Sequence, residues 1–190
     1  MATTVSTQPQ SSTATWNLDP AHTLVEFSAK HMMITTVKGR FADVRGVVTL
    51  NEGRPDASTV AVEIAAASID TRVEQRDQHL RSADFLDAEN YPLITFRSRR
   101  IEGAGLSARS EFRVIGDLTN RGVTREVTLD ASYEGQGRDP WGGDRVSFSA
   151  TARIDRRDFG LTWNAALETG GVLVSNEIKI HIEAQGIRAA

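Results

Sequence analysis

From Trp16 onward the chain alternates apolar and polar residues with a period of two, and that period decides what it can fold into. Val25, Phe27, Ala29 and His31 share one parity against Glu26, Ser28 and Lys30. Val60, Val62 and Ile64 repeat the pattern, as do Ile94, Phe96 and Ser98 against Thr95, Arg97 and Arg99. Phe112 and Val114 oppose Glu111, Arg113 and Ile115, which puts Ile115 on a wet face. Leu129, Ala131 and Tyr133 oppose Thr128, Asp130 and Ser132. Phe148 and Ala150 oppose Ser147 and Ser149, and Ile180 and Ile182 oppose Lys179 and His181. A weaker alternation runs from Phe41 to Leu50. Together these make about eight strands, each with one apolar and one wet face, the signature of an antiparallel rather than a buried parallel sheet. Turn residues recur between them at Asn51–Pro55, Gly103–Gly105, Asn120–Gly122 and Gly135–Gly143. Such strands close into a barrel or split into a sandwich, and the period alone does not choose.

Four segments depart from the period, and one of them, Asp155–Gly171, is an irregular stretch with two glycines at its end. Val73–Ser82 lacks alternation and is rich in helix formers, so it predicts a short helix, with Asp70 or Thr71 as its N-cap. Gly135–Gly143 precedes a strand and lacks the lysine of a phosphate loop; it reads as a hairpin loop with Trp141 as its packing anchor. Met1–Thr15 is mostly Thr, Ser, Gln and Ala, too polar to bury much surface, and reads as a disordered tail before a domain spanning residues 16–187. The tail has no basic and apolar pair of regions as a secretory signal would, which leads to the expectation of a cytoplasmic protein.

Composition narrows the function. Lys plus Arg number 22 against 25 Asp plus Glu, a net charge of −3, which disfavours nucleic acid. No run approaches the ~20 apolar residues of a membrane helix. With no cysteine there are no disulfides, thiolate metal sites or cysteine nucleophiles. His22, His31, His79 and His181 form no spaced ligand pair, and no Ser lies in a nucleophile elbow, so no metal or catalytic residue is expected. His181 and the Arg97–Arg99–Arg100 cluster read as solvated surface, and Arg76, Asp77 and His79 as a structural clamp that fastens the helix. His31 shares the apolar parity, either as a bonded inner histidine or as a group that orients a ligand. The inner positions are small to medium in size, and aromatics make up 6% of the chain, so the interior is either a filled core or an apolar cavity.

An ordered set of motifs adds to this reading. It runs from Trp16-x-Leu18-Asp19-Pro20-x-His22 through Ser68-Ile69-Asp70-Thr71 and Arg76-Asp77-x-His79-Leu80-Arg81 to Asp84-Phe85-Leu86. Tyr91-Pro92, Gly116-Asp117-Leu118-Thr119, Asp139-Pro140-Trp141-Gly142-Gly143 and Asp155-Arg156-x-Asp158-Phe159-Gly160 follow in order. In these the chain resembles the YceI family of lipocalin-like, polyisoprenoid-binding bacterial proteins. The resemblance implies an all-β fold, an extended eight-stranded antiparallel barrel with a short helix between strands three and four. It also implies an elongated apolar pore for a polyprenyl chain, a quinone or a similar amphiphile, no cofactor beyond that lipid, no shared catalytic or metal centre, and a homodimer. Many relatives are exported, whereas the polar tail here favours an intracellular version.

The expected function is therefore non-enzymatic binding, carriage or sequestration of an isoprenoid-type lipid. By parity the pore wall is Val25, Phe27, Ala29, His31, Val62, Ile64, Phe96, Phe112, Val114, Leu129, Phe148, Ala150, Ile180 and Ile182. Arg76, Asp77 and His79 are head-group or clamp candidates. Two alternatives stand beside it: a metal- or cofactor-dependent barrel enzyme using His31, His22 or His79, and a structural, stress-related protein with no ligand.

Overall fold

The computed structural model describes residues 13–168 and 170–189. Its strands are β1 (Thr13–Leu18), β2 (Leu24–His31), β3 (Thr35–Phe41), β4 (Val44–Asn51), β5 (Thr59–Ala65), β6 (Ile69–Asp70), β7 (Leu93–Glu102), β8 (Ser110–Asn120), β9 (Val123–Arg138), β10 (Asp144–Asp155) and β11 (Glu177–Arg188). One helix, α1, spans Glu74–Arg81. Each strand pairs antiparallel to its neighbours, and β1 pairs with β11 to close the sheet.

Eight strands run through these segments. β1 and β2 lie along the same strand, β11, in successive registers, Leu18 opposite Gly186 and Val25 opposite Ile182. A helical turn at Pro20–His22 separates them. In the same way β3 and β4 are one strand interrupted at Ala42–Asp43, and β5 and β6 one strand interrupted by a helical turn at Ala66–Ser68. The result is an up-and-down, closed eight-stranded barrel, and α1 falls between its third and fourth strands as expected. Closure removes the unpaired edges that alternating strands would otherwise expose.

Two bulges keep the pattern on the correct face. The β7–β8 register shifts between Ser98 and Arg100, so Arg99 is the extra residue. Without it Arg100 would point inward with Phe96 and Ser98; with it Ile101 is buried and Arg100 faces out. There Arg99 pairs with Asp117 at 2.8 Å and Arg100 with Glu102 at 3.0 Å, and both reach Glu126. A second shift, between Ser147 and Phe148 on β10, leaves Glu134 of β9 unpaired in the ladder.

Several expectations need correction. β1 begins at Thr13 and buries Ala14, so residues 13–15 of the segment read as tail belong to a strand; the rest of that segment lies outside the described residues. Ile115 is buried, not wet. Neither Asp70 nor Thr71 caps α1, because the helix starts after Val73, which offers no side-chain acceptor. Asp70 instead accepts from the Arg72 amide. Trp141 is 88% exposed and anchors nothing. Its loop is held by Asp139, which accepts from the amides of Trp141 and Gly143 and from Arg145 Nε.

Candidate ligand-binding pore

The two ends of the barrel differ. At the end where β1 and β11 pair, Trp16 is fully buried with Leu50, Tyr133 and Val146 against it. Gly186 faces it without a side chain; a Cβ there would lie 3.0 Å from the Trp16 Cβ. Arg145 ties this end together through Asp19 Oδ2 at 2.6 Å and Asp139 Oδ2 at 2.8 Å. The opposite end carries α1, the 156–176 loop and the β2–β3 and β8–β9 turns.

Between the ends lies one continuous cavity of about 720 Å³, within the ~300–1,000 Å³ of small-molecule sites. All fourteen residues assigned to the wall by parity line it. The same faces add Val37, Val48, Leu50, Val60, Leu118, Val127, Ile154 and Ile178, so the wall is overwhelmingly apolar. β11 has 12 residues; at ~3.3 Å per residue and the usual 35–45° tilt, the tube is roughly 30 Å long. Lining residues that are also exposed to solvent are Lys30, Val73 and Gln75, all at the helical end, which is where the cavity opens.

Polar side chains gather at that end. His31, Arg76, His79, Asn120 and Arg156 all line the cavity. Arg76 donates to Thr71 through Nε (2.7 Å, to Oγ1) and Nη2 (2.9 Å, to the carbonyl). Asp77 lies outside the lining; it is buried and its Oδ1 accepts from both the Thr71 amide and hydroxyl. These two residues therefore clamp α1 onto the end of β6, and Arg76 presents one face to the cavity as well. His79 packs edge-on against Trp163 (4.6 Å) and Phe85 (5.0 Å), while its Nε2 lies 2.8 Å from Asp84 Oδ2. His22 is exposed and bonded to Asp19, away from the wall, and among the described residues no three His, Asp or Glu side chains converge as metal ligands would.

Arg156 was not singled out by the sequence, because it lies in the irregular stretch where parity gives no orientation. Its Nε donates to the Ser175 carbonyl (3.0 Å) and its Nη1 to those of Leu161 (2.6 Å) and Trp163 (2.8 Å), fixing the loop that covers this end. No carboxylate pairs with the guanidinium at ion-pair distance among the described residues, and burial pushes its pKa below the ordinary arginine value. Its Nη2, Asn120 Oδ1 and Thr23 Oγ1 are buried without a hydrogen-bond partner among the described residues. Trp16 Nε1 in the plug is likewise unpartnered, and Thr23 lies midway along the barrel; the two orphans at the helical end, Arg156 Nη2 and Asn120 Oδ1, are where a polar ligand atom fits, since buried polar atoms ordinarily have partners.

Comparison with known proteins agrees with this geometry. The YceI-like domain profile matches residues 16–186. Protein YceI of Escherichia coli O157:H7 is 40% identical over 167 residues, covering 88% of this chain and 82% of that protein. A UPF0312 protein of Serratia proteamaculans is 38% identical over 168 residues, with the same coverage of 88% and 82%. Among solved structures, Burkholderia cenocepacia BcnA superposes with a TM-score of 0.76 at 23% identity, over 88% of this chain and 98% of that one. A polyisoprenoid binding domain from Saccharophagus degradans superposes with a TM-score of 0.69 at 16% identity, over 92% and 98%. The profile match over nearly the whole barrel and the 40% identity to a relative matched over 82% of its length place this chain in the YceI-like domain family.

Proposed function

We propose that the barrel binds an isoprenoid-type lipid, a polyprenyl chain or an isoprenoid quinone, without catalysing a reaction on it. The observation that carries this is the single apolar tube, open at the helical end and lined along its length by aliphatic and aromatic side chains. An insoluble chain gains about 0.8 kcal/mol per buried CH₂ there. The name of the Saccharophagus degradans neighbour supports the same ligand class. In this reading the tail lies toward Trp16 and the head sits among His31, Arg76, His79, Asn120 and Arg156. The unpaired Nη2 of Arg156 donates to a head-group oxygen, a quinone carbonyl or a phosphate alike.

Native mass spectrometry of the purified protein, with lipid extraction and titration by a prenyl alcohol and a short-chain ubiquinone, tests the proposal. The expected result is a stoichiometric adduct or saturable binding, weakened by Ala150→Trp, which fills the tube. Absence of any prenyl or quinone binding overturns it. Light scattering on the same sample tests the homodimer, and fractionation of cells carrying a tagged chain tests the cytoplasmic location.

A further inference from the structure

The β2–β3 turn at the helical end presents Met32, Met33 and Ile34 to solvent, at 41%, 59% and 76% exposure. Val172 is exposed beside them, since Met32 donates its amide to the Leu173 carbonyl and His31 bridges to Val174. The turn closes with the Ile34 amide on the His31 carbonyl, and Met32 and Met33 have φ of 52° and 59°. Two successive positive φ values are the primed-turn geometry that selects Asn-Gly. The β8–β9 turn at the same end uses Arg121-Gly122 with φ of 49° and 72°. Two methionines in such a turn carry backbone strain and stay substantially exposed, and strain at a tip is a reason to look for function there.

The charge around the tip is one-sided. From Phe27 to Ala42 the chain has Lys30, Lys38 and Arg40 and no Asp or Glu; residues 170–176 are uncharged, with Glu168 and Glu177 flanking them. Lys38 and Arg40 are paired with Glu26 and Asp70, whereas no carboxylate lies within ion-pair distance of Lys30 among the described residues. Lys30 also lines the mouth of the cavity. An apolar wedge with Lys30 at its base, and with no acid in the turn itself, complements an anionic bilayer surface. Four side chains fall far short of the ~800 Å² per partner that a stable protein interface needs, which disfavours a second copy as the occupant.

We propose that the helical end docks on an anionic lipid bilayer, Met32, Met33 and Ile34 entering the interface and Lys30 meeting lipid phosphate, so that a long-chain lipid passes between bilayer and pore without crossing water. The passage step rests on the lipid-binding reading above; the docking step does not. The test is co-sedimentation of the full chain with phosphatidylcholine vesicles, with and without phosphatidylglycerol. Wild type partitions to the phosphatidylglycerol vesicles, and the Met32→Asn, Met33→Gly, Ile34→Thr variant loses about tenfold or more of that partitioning. Its melting temperature is unchanged or raised, because Asn-Gly suits the turn. Lys30→Glu weakens binding only where phosphatidylglycerol is present. Equal sedimentation of wild type and variant overturns the proposal. So does a wild-type dimer that the variant dissociates while neither binds vesicles, which would make the tip a contact between copies. If vesicles bind but a prenyl alcohol in solution does not, docking stands and the pore reading falls. If the variant binds the alcohol normally yet no longer takes it up from vesicles, both stand.

Discussion

At the end where β1 meets β11, Trp16 is sealed under Leu50, Tyr133 and Val146 and Arg145 bridges two carboxylates. At the other end methionines stand in solvent, the guanidiniums of Arg76 and Arg156 line the cavity, and an eight-residue helix is tied down through Thr71 and through Arg81, which donates to the Ala67 and Ile69 carbonyls. Both ends belong to the same strands, so the difference comes from the side chains at each end and from the helix and long loop that only one end carries. A tube that binds a chain needs one plug and one mouth, and packing sets which is which. The plugged end is closed by Trp16 and by charge paired through Arg145. The helical end has a buried cluster of its own, and Phe85, Leu86, Phe159 and Leu161 of that cluster also line the cavity, so the ends differ in where the opening lies rather than in how much they bury.

The largest expected effect is at the plug. Trp16→Ala removes the fully buried indole and should cost about 3–5 kcal/mol in urea-induced unfolding. A wall residue already facing the cavity, such as Phe148, should cost distinctly less as Ala, since part of its surface packs against open space. Equal losses would mean the plug and the wall are not energetically distinct.

Asp77→Ala should cost about 1–3 kcal/mol, because the Thr71 amide and hydroxyl lose their shared acceptor. Hydrogen exchange should rise in α1 and β6 and stay unchanged in β1 and β11. Protection lost at both ends would show that they open together, and the contrast would fail.

These positions also show how far the sequence could be read. Period two carried the strands and their inward faces, while the choice of barrel over sandwich came from the resemblance to the YceI family; once the sheet closes, inward parity and pore lining are the same thing, and all fourteen residues line the cavity. The period could not carry the interruptions at Pro20–His22, Ala42–Asp43 and Ala66–Ser68, where one strand becomes two segments and the count stays eight. Asp77 was legible only as part of a clamp, since a partner six residues back at the end of a strand leaves no spacing signature. Arg156 was legible only as a member of the Asp155–Gly160 motif, without a role, because its orientation is set by three carbonyls in an irregular loop. The mouth was illegible for a related reason: exposure of Met32–Ile34 depends on what fails to cover them.

Acid should loosen the plug next. The His22 ring, the Ala21 amide and Arg145 hold the Asp19 carboxyl below its ordinary value. The Gly143 amide and Arg145 do the same for Asp139. Elsewhere Arg157 draws Asp155 down to about 2. For each, the folded pKa lies below the unfolded one, so the folded state binds fewer protons. The stabilisation is complete above the ordinary carboxylate range near ~4 and disappears as pH falls through the folded values. Thermal melts should be level from neutral pH to about 4 and decline below it. Arg145→Met should lower the neutral plateau and make the decline shallower. An unchanged decline would assign the acid sensitivity to Asp155 and the helical end.

The smallest effect is expected at Trp141, on the plugged side of the comparison yet outside the plug. An aromatic residue in a glycine-rich loop reads as an anchor, because aromatic burial usually dominates such loops. Here the loop closes through Asp139, with amides of Trp141 and Gly143 at 3.0 and 2.8 Å, and those bonds need no indole. Trp141→Ser should therefore change stability by no more than ~0.5 kcal/mol. It should also remove the tryptophan fluorescence most readily quenched by acrylamide, leaving the emission of buried Trp16 protected. A loss of several degrees in melting temperature would mean the ring is packed after all, and the boundary of the plug would move outward to include the β9–β10 loop.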